Sequence, residues 1–377
     1  MAPAFKWESK VPMNKIAAGP KVNLTLSNGE RVQALAPLVL SVSRASDVPA
    51  FYSQWLMQRL RAGYALWRNP FNQQKLYVSF EQARAAVFWS KNPRPLMEYL
   101  DELDELLPHY YFQFTLNDYE KEGLERGVPP LAERIETFRE LSLRIGPSRV
   151  IWRFDPILML EGCGPRDILM KIWQLSKLLK GCTEKLVISF ADIKAYKKVV
   201  ANLVRAGICR RGEEESLEPT DEQIEEMALG LAKIKQRHLE EGWDFEIATC
   251  AEQKDLSAYG ITRNCCIDPL LLLRLFPQDE VLLRYIKYGE LPGEGHQTGL
   301  FDDKADHAAI LDLGQLKDAG QRKECGCMLS KDIGAFDTCP HQCVYCYATR
   351  SWASAQRNYE LSQQQGLSSE SIRFESR

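Results

Sequence analysis

From Leu38 onward, short runs of branched and aromatic residues alternate with longer segments whose apolar positions recur at helical spacing, the pattern of repeated βα units around a parallel sheet. Strands are expected at 38–43, 76–80, 86–89, 110–115, 150–153, 186–190 and 245–249. Helices are expected at 50–62, 93–106, 130–144, 166–179, 193–205 and 221–240. At least six βα units in series make the expected fold class α/β, a complete or partial TIM-like β/α barrel, with a doubly wound open sheet as the alternative. Ahead of the barrel, residues 21–35 alternate on either side of Ser27-Asn28-Gly29, a hairpin signal. The expected organisation is a hairpin extension over 1–37, the barrel over 38–290, an irregular connection and cysteine-rich loop over 291–351, and a helix with a polar tail over 352–377. The connection carries Pro292, Gly293, Gly295 and Gly299, and the tail after Gln363 is expected to fray.

A chain of 377 residues that is 45% hydrophobic buries a substantial core. Its 48 basic and 51 acidic side chains nearly cancel, which speaks against a nucleic-acid or anionic-membrane partner. The acidic run from Glu213 to Glu225 reads as a solvated loop and helix start. No apolar run reaches membrane-spanning length and Met1 to Lys10 has no apolar signal core, so a cytoplasmic location is expected.

In a reducing compartment the 11 cysteines are candidate metal ligands rather than disulfides. Cys163, Cys182 and Cys209 are scattered and read as packing or surface residues. The stretch 324–351, ECGCMLSKDIGAFDTCPHQCVYCYATRS, places Cys339, Cys343 and Cys346 on one tight loop. Three thiolates suit an iron-sulfur cubane with one open iron. Zinc is the alternative, with His341 or Cys327 completing a tetrahedron, but zinc modules commonly use paired C-x-x-C knuckles and only one such pair is present. Cys325 and Cys327, with Cys250 and Cys266 after a late strand, make a second set of four. They suit a second, fully coordinated 4Fe-4S cluster or a structural zinc, while Cys265 and Cys266 also read as small buried hydrophobes.

In a barrel, polar residues just after the strands face the working end. Here these are Arg44 and Asp47, Lys91 and Asn92, Thr115 and Asn117, Arg153 and Asp155, Asp192, and Cys250 with Glu252. Arg44, Lys91, Arg153 and Asp155 are the candidate catalytic residues. Arg44, Arg68, Lys91 and Arg153 suit an anionic substrate or a cofactor carboxylate, and ion pairs with Asp47, Asp155 and Asp192 explain them nearly as well.

The segments SVSRASDVPAFY (41–52), RNPFN (68–72), VFWSKNP (87–93), FQFTLNDY (112–119) and WRFDPIL (152–158), together with the cysteine loop, resemble the bacterial domain-of-unknown-function family 1848 from about Leu38 to Ala348. The loop Cys-Pro-His-x-Cys-x-Tyr-Cys-Tyr-Ala also resembles that of spore photoproduct lyase-like radical S-adenosylmethionine (SAM) proteins. This resemblance implies a 4Fe-4S cluster whose open iron takes SAM, a 5'-deoxyadenosyl radical, and an electron donor such as a flavodoxin or ferredoxin. It places Tyr345 near the adenine and His341 on the cofactor side. In those proteins the cluster loop follows the first strand; here it comes last, and no Gly-Gly-Glu motif is present. The expected function is a radical SAM-type enzyme on an unidentified substrate, the alternative a non-catalytic iron-sulfur or zinc protein with a structural or electron-transfer role.

Overall fold

Alternation around an Asn-Gly turn folds the first described strands, β1 (Lys21–Thr25) and β2 (Arg31–Leu35), into an antiparallel pair with Thr25 opposite Arg31. Gly29 sits in the turn at φ 84°, a left-handed conformation that glycine adopts without steric cost. The computed structural model describes residues 17–292, 313–365 and 369–373. The Met1 to Lys10 stretch and Gly293, Gly295 and Gly299 of the expected connection lie outside them.

After β3 (Val39–Val42), the helix expected over 50–62 is two: α1 (Val48–Phe51) and α2 (Ser53–Ala62), parted at Tyr52 with φ −130°. Asp47 caps α1 by accepting the Ala50 amide at 3.0 Å. Next come β4 (Tyr64–Arg68), which the sequence pattern did not reveal, and β5 (Lys75–Ser79). β5 was expected in the parallel sheet. Instead it pairs antiparallel with β4 and parallel with β2, giving a separate four-stranded sheet ordered β1-β2-β5-β4. Its partly exposed residues, against the wholly buried β3 inside the main sheet, are the physical reason: an interior parallel strand is covered on both faces. The hairpin is thus half of a sheet completed by later residues.

The main sheet then builds up as β6 (Ala85–Ser90), α3 (Arg94–Met97), α4 (Leu100–Leu106), β7 (Tyr110–Thr115), α5 (Leu131–Ile145), β8 (Val150–Ile157), α6 (Pro165–Leu178), β9 (Lys185–Phe190), α7 (Lys197–Ala206), α8 (Asp221–Glu240) and β10 (Glu246–Cys250). Thr220 and Gln223 close a capping box that starts α8 at the expected residue. Three-residue β11 (Thr262–Asn264), α9 (Pro269–Leu275), α10 (Glu280–Tyr288), two-residue β12 (Lys331–Asp332) and α11 (Trp352–Gln365) follow.

The eight strands of this sheet are ordered β11-β10-β9-β8-β7-β6-β3-β12, every pair parallel. From β3 to β11 spatial order follows chain order, and β12 takes the other edge beside β3. Among the described residues no ladder joins β11 to β12, so the sheet has two edges.

Adjacent residues of each strand enter different cores, as the two-residue period requires. Leu40, Phe88, Phe112, Trp152 and Ile188 pack with α2, α4, α5, α6 and α8. Their neighbours Val39, Val87, Tyr111, Ile151 and Val187 pack with α9, α10 and the Cys325 to Met328 segment. Asp279 caps α10 and pairs with Arg84 and His109, the residues just before β6 and β7, which sets α10 beneath the N-terminal end of the sheet. The opposite end, at the strand C-termini, is where the cysteines collect.

Of the tail after Gln363, expected to fray, the described residues are ordered: α11 runs to Gln365, and residues 369–373 dock on β4. The Leu66 amide donates to the Glu370 carbonyl at 2.7 Å, Tyr64 donates to the Glu370 carboxylate at 2.7 Å, and Ile372 is buried. Among the described residues no helix is long and apolar enough to cross a membrane.

Candidate metal centres

The loop bearing Cys339, Cys343 and Cys346 is held by main-chain and buried polar contacts. Glu125 bridges Cys343 in a strand-like pair, the Gly127 amide donates to the His341 carbonyl at 2.8 Å, and the Val344 amide donates to the Leu124 carbonyl at 2.9 Å. Gly127 is required by close approach, because a Cβ there would lie 2.7 Å from the Pro340 carbonyl oxygen. Tyr52 donates to the Thr338 carbonyl at 2.6 Å at the loop entrance.

Asp47 is the hub beneath the loop. Beyond capping α1, its carboxylate accepts from Ser90 Oγ at 2.7 Å, the Lys91 amide at 2.7 Å and His341 Nε2 at 2.7 Å. His341 Nδ1 faces the Gly127 carbonyl at 3.2 Å. Both ring nitrogens of His341 are therefore used inside the protein. The residue expected on the cofactor side fixes the loop instead.

Tyr345 points into a buried ionic knot. Its hydroxyl meets the Glu125 carboxylate, Lys91 Nζ at 2.9 Å and Asn117 Nδ2 at 3.2 Å. Lys91 also pairs with Glu125 at 2.7 Å, and Arg134 reaches the second carboxylate oxygen at 3.5 Å. Burial alone would raise Glu125, but Lys91 and Arg134 beside it hold it below the ordinary carboxylate value. Burial would likewise lower Lys91, and Glu125 together with Cys343 keeps it raised. Burial pushes the Cys339 thiol up to about 12 and Cys343 well above its usual value, so both thiolates need a positive partner.

Further along the same rim, Cys250 ends β10, Cys266 follows β11, and Cys325 and Cys327 come in from the segment before β12. Cys250 and Cys266 lie Sγ to Sγ at 3.3 Å, and the Cys327 thiol is within hydrogen-bonding reach of both Cys266 and Cys325. Among the described residues no three His, Cys, Asp or Glu side chains already stand in a metal-ready arrangement. The four thiols are gathered as hydrogen-bonded neighbours.

Arg153, buried on β8, donates to Cys266 Sγ at 3.0 Å and Gln113 Oε1 at 3.1 Å, and pairs with Asp155. Burial works against its charge, yet Cys266 and Asp155 hold its pKa well above the usual value. Asp155 is depressed, Arg153 outweighing the penalty of burial, and it also accepts from Ser189. Arg44 lies 5.0 Å from the Trp89 ring centroid with one guanidinium nitrogen, Nη2, buried and unpartnered. Its main chain joins the centres: the amide donates to Asp332 at 2.9 Å and the carbonyl accepts from Tyr347 at 2.9 Å.

Of the candidate catalytic residues, Lys91 thus falls at the three-cysteine loop, and Arg44, Arg153 and Asp155 at the four-cysteine group. Asn117 connects them, donating to Glu125 at 2.9 Å while its Oδ1 accepts the Asp155 amide at 2.9 Å. Arg68 ends β4, a strand of the smaller sheet. Sequence reading did not single out Glu125, Arg134, Gln113, Ser189 or Asp332 as site residues. All five are placed there by tertiary contact.

No curated protein and no solved structure matches the chain. A family model described as a domain of unknown function, DUF1848, matches residues 39–348, most of the chain, and the protein belongs to that family.

Proposed function

We propose that Cys339, Cys343 and Cys346 hold a 4Fe-4S cluster and that the protein is a radical SAM-type enzyme. The observation that carries this reading is the ligand set: three thiols on one loop over the ends of β3, β6 and β7, Cys343 buried and Cys339 and Cys346 partly buried, with the loop's histidine committed to Asp47 and Gly127. Three protein ligands fit a cluster with one iron left for a small-molecule ligand, and a fourth from His341 would have favoured zinc. With SAM bound, such a cluster supplies one-electron reduction of the sulfonium and so a 5'-deoxyadenosyl radical.

The chain's own groups supply charge, orientation and exclusion of water. Lys91, kept cationic beside Cys343, offsets thiolate charge, and the Tyr345–Glu125–Asn117 contacts fix the loop on the sheet. Arg44, Arg153 and Asp155 form a charged edge suited to an anionic substrate or the SAM carboxylate. In this reading the parallel sheet is a partial TIM-like barrel working at its C-terminal rim, and a flavodoxin or ferredoxin provides the electron.

The test is anaerobic reconstitution of the full chain, with iron, sulfide and the EPR spectrum of the reduced protein measured before and after adding SAM. About four irons and four sulfides per chain are expected, with a signal that shifts on adding SAM and 5'-deoxyadenosine as product. All should vanish in C339A/C343A/C346A. A chain that takes up no sulfide overturns the cluster, and a cluster indifferent to SAM overturns the enzyme.

A further inference from the structure

We propose that Cys250, Cys266, Cys325 and Cys327 form a second metal centre, a mononuclear four-thiolate site for zinc that clamps the cysteine-rich segment onto the sheet. It stands independently of the cluster reading.

Four soft ligands converge from three places in the chain, a donor set matched to zinc or an iron-sulfur centre. Spacing separates these two. A tetrahedral zinc with Zn–S of about 2.3 Å sets its sulfurs about 3.8 Å apart. The Cys250–Cys266 separation of 3.3 Å falls about half an ångström inside that edge. In a cubane each thiolate takes a different iron with sulfide between the irons, so thiols in mutual contact are packed too tightly for it.

The surroundings are built for anionic sulfur. Cys327 Sγ accepts the amides of Cys266 at 3.2 Å and Ile267 at 3.4 Å. Cys266 Sγ accepts from Arg153 at 3.0 Å and from Asn264 Nδ2 at 3.4 Å. A neutral thiol is a weak acceptor, whereas a metal-bound thiolate repays every one of these donors. Zinc with four thiolates carries a net charge of about −2, and the two guanidiniums at the group, Arg153 and Arg44, match it. The buried, unpartnered Nη2 of Arg44 is an orphan donor beside that charge.

Gly326 completes the fit. It stands between two of the ligands, and a Cβ there would come within 2.6 Å of Cys265 Sγ. The C-G-C turn can therefore lie directly on the exit of β11, and Cys265 packs beneath it instead of joining the four.

The experiment uses the full-length C339A/C343A/C346A protein, which removes the first centre, and measures zinc, iron and sulfide by elemental and chemical analysis. One zinc per chain without sulfide is expected. Thiol titration of the native protein should show four further cysteines becoming reactive when a chelator strips the zinc. Cobalt in its place should give the visible bands of a tetrahedral four-thiolate ion. C266S/C327S on the same background should lose the zinc. Should it fail to fold, the chelator titration and cobalt spectrum still decide the matter. Iron with sulfide, a metal-free chain, or a Cys250–Cys266 disulfide found by peptide mapping each overturns the proposal.

Discussion

The three thiols of the 339–346 loop and the four gathered around Cys266 share one rim of one sheet, yet they are assembled in opposite ways. The first set is contiguous in sequence, and tertiary structure only anchors it, through Asp47, Glu125 and Gly127. The second does not exist until β10, β11 and the segment before β12 have met. Their counter-charges differ as well. A lysine locked in a carboxylate–tyrosine knot serves the first, and an arginine that donates to sulfur, Arg153, serves the second. A contiguous loop leaves room for an open coordination position, while a composite site surrounded by its own donors is closed, the division expected between reactive and structural metal sites.

The sharpest way to break this comparison is Glu125→Ala. It strands Lys91 and Arg134 as buried cations, so chemical denaturation should show a loss of about 3–5 kcal/mol, with iron and sulfide falling sharply. Zinc at the other centre should be retained in whatever folded protein survives. If zinc is lost in parallel, the two centres are one cooperative unit.

Two glycine substitutions sharpen the contrast at smaller cost. In Gly127→Ala the new methyl meets rigid main chain, the Pro340 and His341 carbonyl oxygens at 2.7 and 2.9 Å, and about 2–3 kcal/mol of overpacking strain is expected. In Gly326→Ala it meets the Cys265 side chain at 2.6 Å, which is able to turn away, so about 1 kcal/mol is expected. The first should lower iron content and spare zinc, and the second the reverse, read by metal analysis alongside urea unfolding.

The smallest effect concerns Lys331 on β12. Burial pulls its pKa from 10.5 down to about 8, although the ammonium lies 3.0 Å from the Trp67 ring centroid, a contact that favours the charged form and offsets part of the shift. Because the folded value lies below the unfolded one, the folded chain binds fewer protons between those values. Stability should therefore rise with pH across that window. A gain of about 1–2 kcal/mol in the wild type relative to K331M, measured by denaturant unfolding at pH 7 and pH 10, checks it.

How much of this was legible depended on how local each signal is. β7 and α8 appear at the expected residues because buried strands and capped amphipathic helices announce themselves within a few positions. β11 and β12 escaped, since a two- or three-residue strand has no period to detect and is defined by its neighbour, and five-residue β4 escaped because three buried residues in a row, Tyr64 to Leu66, give no alternation. β5 was found but assigned to the wrong sheet, because an apolar run does not say which strand it will meet. The three-cysteine loop was plain, being one short stretch. The four-cysteine set was visible as a list of residues, yet Arg153 at Cys266 and the two amides at Cys327 are products of folding. His341 shows the converse: a histidine between cysteines has the look of a ligand, and its contact with Asp47, 294 positions away, has no local signal in the sequence.

The placing of β12 against β3 has a bearing on how such a protein is made. Asp332 accepts from Ser41 Oγ at 2.6 Å, from Ser43 Oγ at 2.7 Å and from the Arg44 amide, partners translated up to 291 residues earlier. At roughly 5–20 residues per second, the first strand of the sheet waits about 15–60 s on the ribosome for the segment that covers its edge. During that interval the rim lacks all three loop cysteines and, for nearly all of it, Cys325 and Cys327 as well, so β3 stands with an open edge beside two incomplete sets of thiols.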